Sequence, residues 1–350
     1  MLRSERGKVL TIDSVRGGAA EITVYVNDGI AKAIVYTELT GGVEPGDDVL
    51  LNTTAVGKKL GTGGYHYVMA NLSKPAFDAE ETVGHIVKCR YTPVQHTVLA
   101  AEEEDSPHRG IVENFESLKG CPVVAGQLHS QLAPAAAAAK LFGKKVCYVM
   151  TDTAALPIGF SKQVSALKEN GFIDLTITCG QAFGGDLETV NVYTAMIMGA
   201  SMADAVIVIP GPGNVGTGTK YGFSSIEQGN ILNAAALLGG TPVALPRVSF
   251  ADKRPRHQGV SHHSVTALSE IAKPGCVVPL PESLRGRLDL SKIEPLHRIE
   301  YMPDGVIAEA VTALAEAGIK LRSMGRGYGE DRELFDTAAA AGVFAGRYGS

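Results

Sequence analysis

The chain has no tryptophan, and only 6% of its 350 residues are aromatic. That scarcity argues against a stacking platform for carbohydrates or nucleic-acid bases. There is no surplus of positive charge either. Lys and Arg number 32 against 37 Asp and Glu, a formal net charge of -5, which offers no general attraction to nucleic acid or an anionic membrane. Any anion must therefore be held by local placement of basic groups. No apolar run approaches the roughly 18 residues of a membrane span, and the start, Met1 to Val9, lacks an apolar signal core. Cysteines are few and odd in number: Cys89, Cys121, Cys147, Cys179 and Cys276 lie far apart. Cys147 and Cys179 sit inside apolar runs, which predicts reduced core thiols and a cytoplasmic location.

Glycine is plentiful, at 41 residues, and many of the glycines stand where strands are expected to end. The length suits two domains. Over the first 75 or so residues, short β-branched runs (Gly7–Ile12, Ala20–Val26, Ala31–Thr37, Asp48–Asn52, Gly64–Ala70) are separated by turn signals such as Arg16-Gly-Gly, Asn27-Asp-Gly and Pro45-Gly-Asp. They predict a small all-β, barrel-like domain over residues 1–80, with a segment from Glu81 to Arg90 pairing to finish it. From about Tyr91, apolar strands alternate with capped helices. Strands are expected at Thr97–Ala101, Pro122–Gly126, Val146–Thr151, Asp174–Thr178, Ala205–Ile209 and Pro242–Val248. Helices are expected at Arg109–Lys119, Pro134–Phe142, Ser161–Asn170, Leu187–Ala203 and Ser224–Leu238, with Ser161 and Asp186 as N-caps and Ser224 with Glu227 as a capping box. This α/β alternation predicts a predominantly parallel wound sheet with helices on both faces across residues 81–350. Ala135–Ala139 is read as a small-residue run that lets its helix pack closely.

Parallel sheets of this kind bind ligands beyond the C-terminal ends of their strands. That rule gathers the polar residues that follow each strand into one expected cluster. The Ala205–Ile209 strand leads into Gly211-Pro-Gly213-Asn214-Val-Gly216-Thr217-Gly218-Thr219-Lys220-Tyr-Gly222, five glycines in twelve residues. Such a loop brings backbone amides close to an anion, with Lys220 as its charged contact. Gly211 to Gly216 matches G-x-G-x-x-G, but the helix starts late and no acidic residue follows about 20 residues on. A dinucleotide fold is therefore not expected. Thr219-Lys220-Tyr221 is in the wrong order for a triphosphate-binding loop. Gly185 and Asp186 form a second glycine turn, able to bind an anion, cap a helix or face a metal.

The segment from Arg247 to Ser264 carries His257, His262, His263 and four basic side chains, among them Arg256. Histidine is the ordinary proton carrier near neutral pH, and arginine pairs bidentately with carboxylate or phosphate. His129, beside Ser130, and Asp152 follow other strands and join the candidate list. Three histidines and an aspartate are the right donor types for a divalent metal. However, neighbouring histidines on an extended segment point to opposite sides, and no spacing here matches a zinc signature. The cofactor is left open.

The Asn52-Thr-Thr-Ala-Val and Leu60-Gly-Thr-Gly-Gly-Tyr-His66 stretches, His129-Ser-Gln-Leu-Ala-Pro134, Gly180 to Val190 and the Gly211 loop together resemble an uncharacterised bacterial family, a domain of unknown function. The resemblance spans nearly the whole chain and implies a bacterial cytoplasmic protein of this two-part layout. It carries no activity or catalytic residues.

The residues point to an enzyme, a hydrolase or transferase, acting on a small phosphorylated or carboxylated metabolite held by the glycine loop. The alternative is a non-catalytic metabolite sensor that uses the same loop. The expected partner is a small anionic metabolite, with no nucleic acid and no membrane; homo-oligomerisation stays open. His66 and Asn52 are candidates to reach the site from the front domain.

Overall fold

A computed structural model describes residues 2–60, 63–77, 82–273 and 275–348. The expected boundary between residues 80 and 81 lies outside the described residues. So does part of the Leu60–Gly64 loop.

The front of the chain forms a closed barrel of β1 (Ser4–Arg16), β2 (Ala19–Val26), β3 (Gly29–Tyr36), β4 (Asp48–Asn52) and β5 (Tyr65–Asn71). Their order is β1-β2-β3-β5-β4, closed where Ser4–Lys8 pairs with Asn52–Asp48. Asn27 and Asp28 both take positive φ, 51° and 56°, the two-residue turn that matches hairpin twist. Val9, Ile22, Val24, Ala33, Val35, Val49, Leu51 and Val68 fill the interior, so closure both buries the apolar face and removes the sheet edges.

The segment expected to complete the barrel does not do so. β6 (Ile86–Lys88) pairs instead with β7 (His96–Val98) in an antiparallel hairpin outside it. Lys88, fully buried, anchors this hairpin to the larger sheet through Gly180, Ala182 and Thr189 carbonyls and the Glu188 carboxylate.

The second region has β8 (Pro122–Ala125), β9 (Val146–Thr151), β10 (Leu175–Cys179), β11 (Leu187–Thr189), β12 (Ala205–Pro210), β13 (Thr241–Ala244), the short pair β14 (Val248–Ser249) and β15 (Gly259–Val260), β16 (Val277–Pro281) and β17 (Arg298–Met302). Eight of them form one sheet, all parallel, ordered β11-β10-β9-β12-β8-β13-β16-β17. One face carries Leu132–Lys140, Lys162–Glu169, Asp304–Glu316 and Arg332–Arg347; the other carries Val192–Met202 and Glu227–Leu237. The alanine run packs chiefly on the last helix. A Cβ on Gly342 would press on the Ala135 carbonyl oxygen and lie 2.8 Å from the Ala138 Cβ.

Several local expectations change. The helix expected at Arg109–Lys119 spans only Arg109–Glu113, and the strand expected at Thr97–Ala101 shortens to β7, outside the parallel sheet. Leu187–Thr189 is an edge strand, because its β-branched end pairs with Ile177–Cys179. The following helix begins after Asn191, which accepts from the amides of Tyr193 and Thr194, so Asp186 is not its cap. Ser224–Ile226 is a 3-10 turn with no capping box. The Glu227 carboxylate is drawn instead to the Thr151 and Thr153 hydroxyls, 2.6 and 2.5 Å away. Ser161 does cap its helix, accepting from the Val164 amide.

The β8 connection crosses one face and the β12 connection the other, although β8 and β12 are neighbours. Chains leaving to opposite sides open a crevice at the carboxyl ends of that strand pair. The barrel docks beside it. Gly159 abuts the Gly17 carbonyl, and Glu21 pairs with Arg16 at 2.7 Å and with Lys162 at 2.6 Å.

Candidate functional site

A cavity of about 890 Å³ occupies this crevice, within the size range of small-molecule sites, about 300–1,000 Å³. Its wall draws on four strand exits and on a C-terminal segment. After β8 come Leu128, His129 and Ser130. The helix after β9 gives Lys162 and Gln163. After β12 come Gly211, Gly213, Asn214, Gly216 and Gly218. Arg247, Arg254, Arg256, His257 and His263 follow β13, and Gly318, Lys320, Arg322 and Met324 line it from the C-terminal segment.

Buried amide side chains hold these exits together. Gln131 Oε1 accepts from the Gln127 and Leu128 amides, both at 2.9 Å, while its Nε2 donates to the Pro246 carbonyl. Gln228 Nε2 donates to the Ala125 and Leu245 carbonyls at 2.7 and 2.8 Å. Asn214 ties the glycine loop to the β8 exit, donating to the Gln127 carbonyl and the Ser225 hydroxyl and accepting from the Ser225 amide and Ser224 hydroxyl.

The glycine loop thus divides in two. Gly211 to Gly216 lines the cavity, and the amides of Gly213, Gly216 and Gly218 have no acceptor among the described residues. Thr217 and Thr219 form an exposed tip bonded to itself: the Thr217 amide donates to the Gly222 carbonyl at 2.8 Å, and the two hydroxyls meet at 2.9 Å. Lys220 leaves the cavity altogether. Its ammonium pairs with Glu270 at 2.9 Å and covers the Tyr221 ring. An exposed Glu one short helix away is a nearer partner than anything inside.

Positive charge in the cavity comes chiefly from arginine, with Lys162 and Lys320 also in its wall. Arg247, 3% exposed, donates from Nη2 to Asp252 Oδ2 at 2.6 Å. Arg254 grips the same carboxylate bidentately, at 2.9 and 2.8 Å, and Arg326 approaches it at 3.7 Å while pairing with Asp331 at 2.9 Å. Burial lowers the Arg247 pKa to about 10, with Arg254 and Arg326 adding to the effect and Asp252 opposing it. Hydrogen bonds from Arg254 hold Asp252 well below the usual carboxylate range. Arg247 Nε is buried without a partner among the described residues.

His129, at the β8 exit, shares a 2.6 Å hydrogen bond between Nε2 and the Ser161 hydroxyl, and its Nδ1 faces the Pro210 carbonyl at 3.3 Å. Burial pushes its pKa down to about 4, against which the Pro210 hydrogen bond acts. His257, His262 and His263 form a second cluster. A ring nitrogen of each lies within 4.8 Å of those of the other two. The expected opposition of His262 and His263 does not arise, because His262–Thr266 is a turn of helix, started by a Ser261 hydroxyl that accepts from the His263 amide. Successive helical side chains diverge by about 100° rather than 180°. His263 stacks flat on Phe223, centroids 4.0 Å apart. Burial, then the field of Arg247 and its neighbours, takes His257 and His263 down to about 3, and His262 shifts in the same direction.

Other expected residues lie elsewhere. Asp152 is exposed and accepts from the Gln181 amide at 2.7 Å, fastening the turn after β10. Asp186 pairs with Lys168 and accepts from the Thr176 amide and hydroxyl. Gly185 lines a separate groove with His96 and Glu188. His66 is buried in the barrel, and Asn52 accepts from the Thr54 amide; neither lines the cavity. Sequence reasoning missed the C-terminal segment of the wall. Arg322–Ser323 and Arg326–Gly327 pair as a tiny hairpin across Met324, at φ 49°, and Gly325, at φ 83°. This puts Met324 Sδ 3.4 Å from Arg247. The available signal was Met324-Gly-Arg-Gly-Tyr-Gly329, a glycine-rich turn flanked by arginines.

Among the described residues no helix is long and apolar enough to cross a membrane. Comparison with curated proteins and with solved structures gave no match to the chain. A family model described as a protein of unknown function (DUF3866) matches residues 32–342, so the chain belongs to that family.

Proposed function

We propose that the protein is an enzyme, a hydrolase or transferase, acting on a small phosphorylated or carboxylated metabolite bound in the crevice between the β8 and β12 exits. The observation that carries this reading is Arg247: a guanidinium almost wholly buried, lining the cavity, with a nitrogen that lacks a partner. A buried donor left unpaired costs about 1–3 kcal/mol, and more if charged, and an anionic group in the cavity would satisfy it once the Arg247 side chain turns its Nε towards the cavity. Arg254, Arg256 and the free amides of Gly213, Gly216 and Gly218 would complete the cradle. His129, neutral and bonded to Ser161, is the proton carrier beside it. A substrate anion would raise its proton affinity from the depressed value towards neutrality, since an opposite charge within about 4–6 Å favours the protonated ring.

Calorimetric titration with inorganic phosphate, pyrophosphate and small carboxylates tests the cradle. Arg256→Gln, at an exposed position, should weaken anion binding about 10- to 100-fold, the range for losing one charge-assisted hydrogen bond. Unchanged affinity in both Arg256→Gln and Arg247→Gln would overturn the reading. Binding that depends on both arginines, without turnover of any phosphoester or acyl substrate, would make the protein a binding module.

A further inference from the structure

We infer that His257, His262 and His263 form a binding site for one divalent transition metal, zinc or a metal of similar preference, opening on the anion cavity. This deepens the function proposed above and rests on that reading of the cavity.

The geometry comes first. Three imidazoles from one seven-residue stretch bring a nitrogen each within 4.8 Å of the others, the single such cluster among the described residues. Tetrahedral zinc with Zn–N of about 2.0–2.1 Å needs nitrogens about 3.3 Å apart, so the three rings draw closer when a metal binds. Its nitrogens are also free. His262 Nε2 is buried without a hydrogen-bond partner, and neither ring nitrogen of His263 has one among the described residues. His263 is 6% exposed and lines the cavity, so a metal held there would face the anion site.

The rings are held from behind. The Ser261 hydroxyl lies 2.8 Å from His257 Nδ1, which leaves Nε2 for a ligand, and Phe223 fixes the plane of His263. Such outer contacts orient metal-bound histidines. Three protein ligands leave a fourth position for water or a substrate oxygen, the arrangement of catalytic rather than structural zinc.

The arginines shape the rest of the inference. Arg247, Arg254 and Arg256 repel a dication unless an anion sits between them. Metal and anion should therefore bind cooperatively, each strengthening the other by the same factor.

The test is equilibrium dialysis of the chelator-stripped full chain with Zn2+, and visible absorption on titration with Co2+. Wild type should take up one ion per chain, more tightly when inorganic phosphate is present. His262→Ala, at a partly exposed ring, should abolish stoichiometric uptake with an unchanged melting temperature, whereas the exposed His85→Ala should bind as wild type. Ser261→Ala should weaken uptake about 10- to 100-fold. No uptake by wild type, or full uptake by the His262→Ala/His263→Ala double variant, overturns the inference. Phosphate titration of the stripped protein separates the two readings. Arginine-dependent phosphate binding without metal uptake sinks only the metal site, and metal uptake without any phosphate binding sinks the anion cradle.

Discussion

Asp252→Ala should be among the most destabilising single changes in the α/β region. The Asp252 carboxylate is 3% exposed on its side chain and lies against an equally buried Arg247, 2.6 Å away, while Arg254 and Arg326 approach from other sides. At an effective dielectric of about 20, unit charges roughly 3 Å apart attract by about 5 kcal/mol, and much of that offsets the desolvation of both. Removing one partner loses the attraction but keeps the desolvation of Arg247. Breaking a buried pair in this way costs about 3–5 kcal/mol. Arg254 is half exposed and adds little, because water screens it. Urea unfolding followed by far-UV circular dichroism reads the difference as a shift in midpoint at unchanged slope. The double variant Arg247→Met/Asp252→Ala should be clearly less damaged than the two single losses added together, by about 0.5–3 kcal/mol, because the residues touch. Additive losses would refute the reasoning. A cost for Asp252→Ala below about 1 kcal/mol would mean that the arginines are solvated after all.

Gly342→Ala should lower stability by about 1–3 kcal/mol, the usual range for overpacking, since its methyl would press on the Ala135 carbonyl and the Ala138 Cβ; a melting temperature equal to that of wild type would show that the two helices can part. Stability should also fall as the pH drops from about 6.5 towards about 4. In that window the unfolded chain protonates His129, while the folded chain, whose ring is held down to about 4, does not. The loss is complete below the folded value and absent above 6.5, and His129→Gln should flatten the urea midpoint against pH relative to wild type. Ser161→Ala should cost about 0.5–2 kcal/mol by removing the helix cap and should retain the slope, because burial rather than the serine is the main cause of the shift.

Local signals were enough for much of the architecture. β-Branched runs between Gly and Asn-Asp turns specify the barrel strands, and strongly apolar runs such as Ala205–Ile209 specify strands covered on both faces. The rule for strand ends then brings His129, the glycine loop and the histidine segment to one crevice. What stayed hidden depends on contacts distant in sequence. Lys220 carries the right charge in the right loop, yet its partner Glu270 lies fifty residues on. Nothing local says that Gly318–Met324 folds over Arg247. Leu187–Thr189 reads as the start of a helix because three residues are too few to show a period, and only the neighbouring Ile177–Cys179 makes them a strand. The histidine cluster turned on one detail, the Ser261 cap, which converts an extended reading of His262 and His263 into a helical one.

Under the proposed function, a division of labour between amides and charges would let an acidic chain hold an anion. Gln127, Gln131, Gln228 and Asn214 brace the strand exits, and none of these side chains titrates. Charge is kept for the open side of the crevice. There, Arg247, Arg254, Arg256, Arg322, Lys162 and Lys320 line the cavity with no Asp or Glu among its described lining residues, and Asp252 pairs with Arg247 and Arg254. The local excess is positive although the whole chain carries -5, and low-dielectric walls let that excess act at short range while salt screens the rest beyond about 8–10 Å. On the proposed function, a polyanion would be repelled by the molecule as a whole, whereas a small anion that fits the cavity would meet its arginines and lysines, so that one arrangement would select both size and charge.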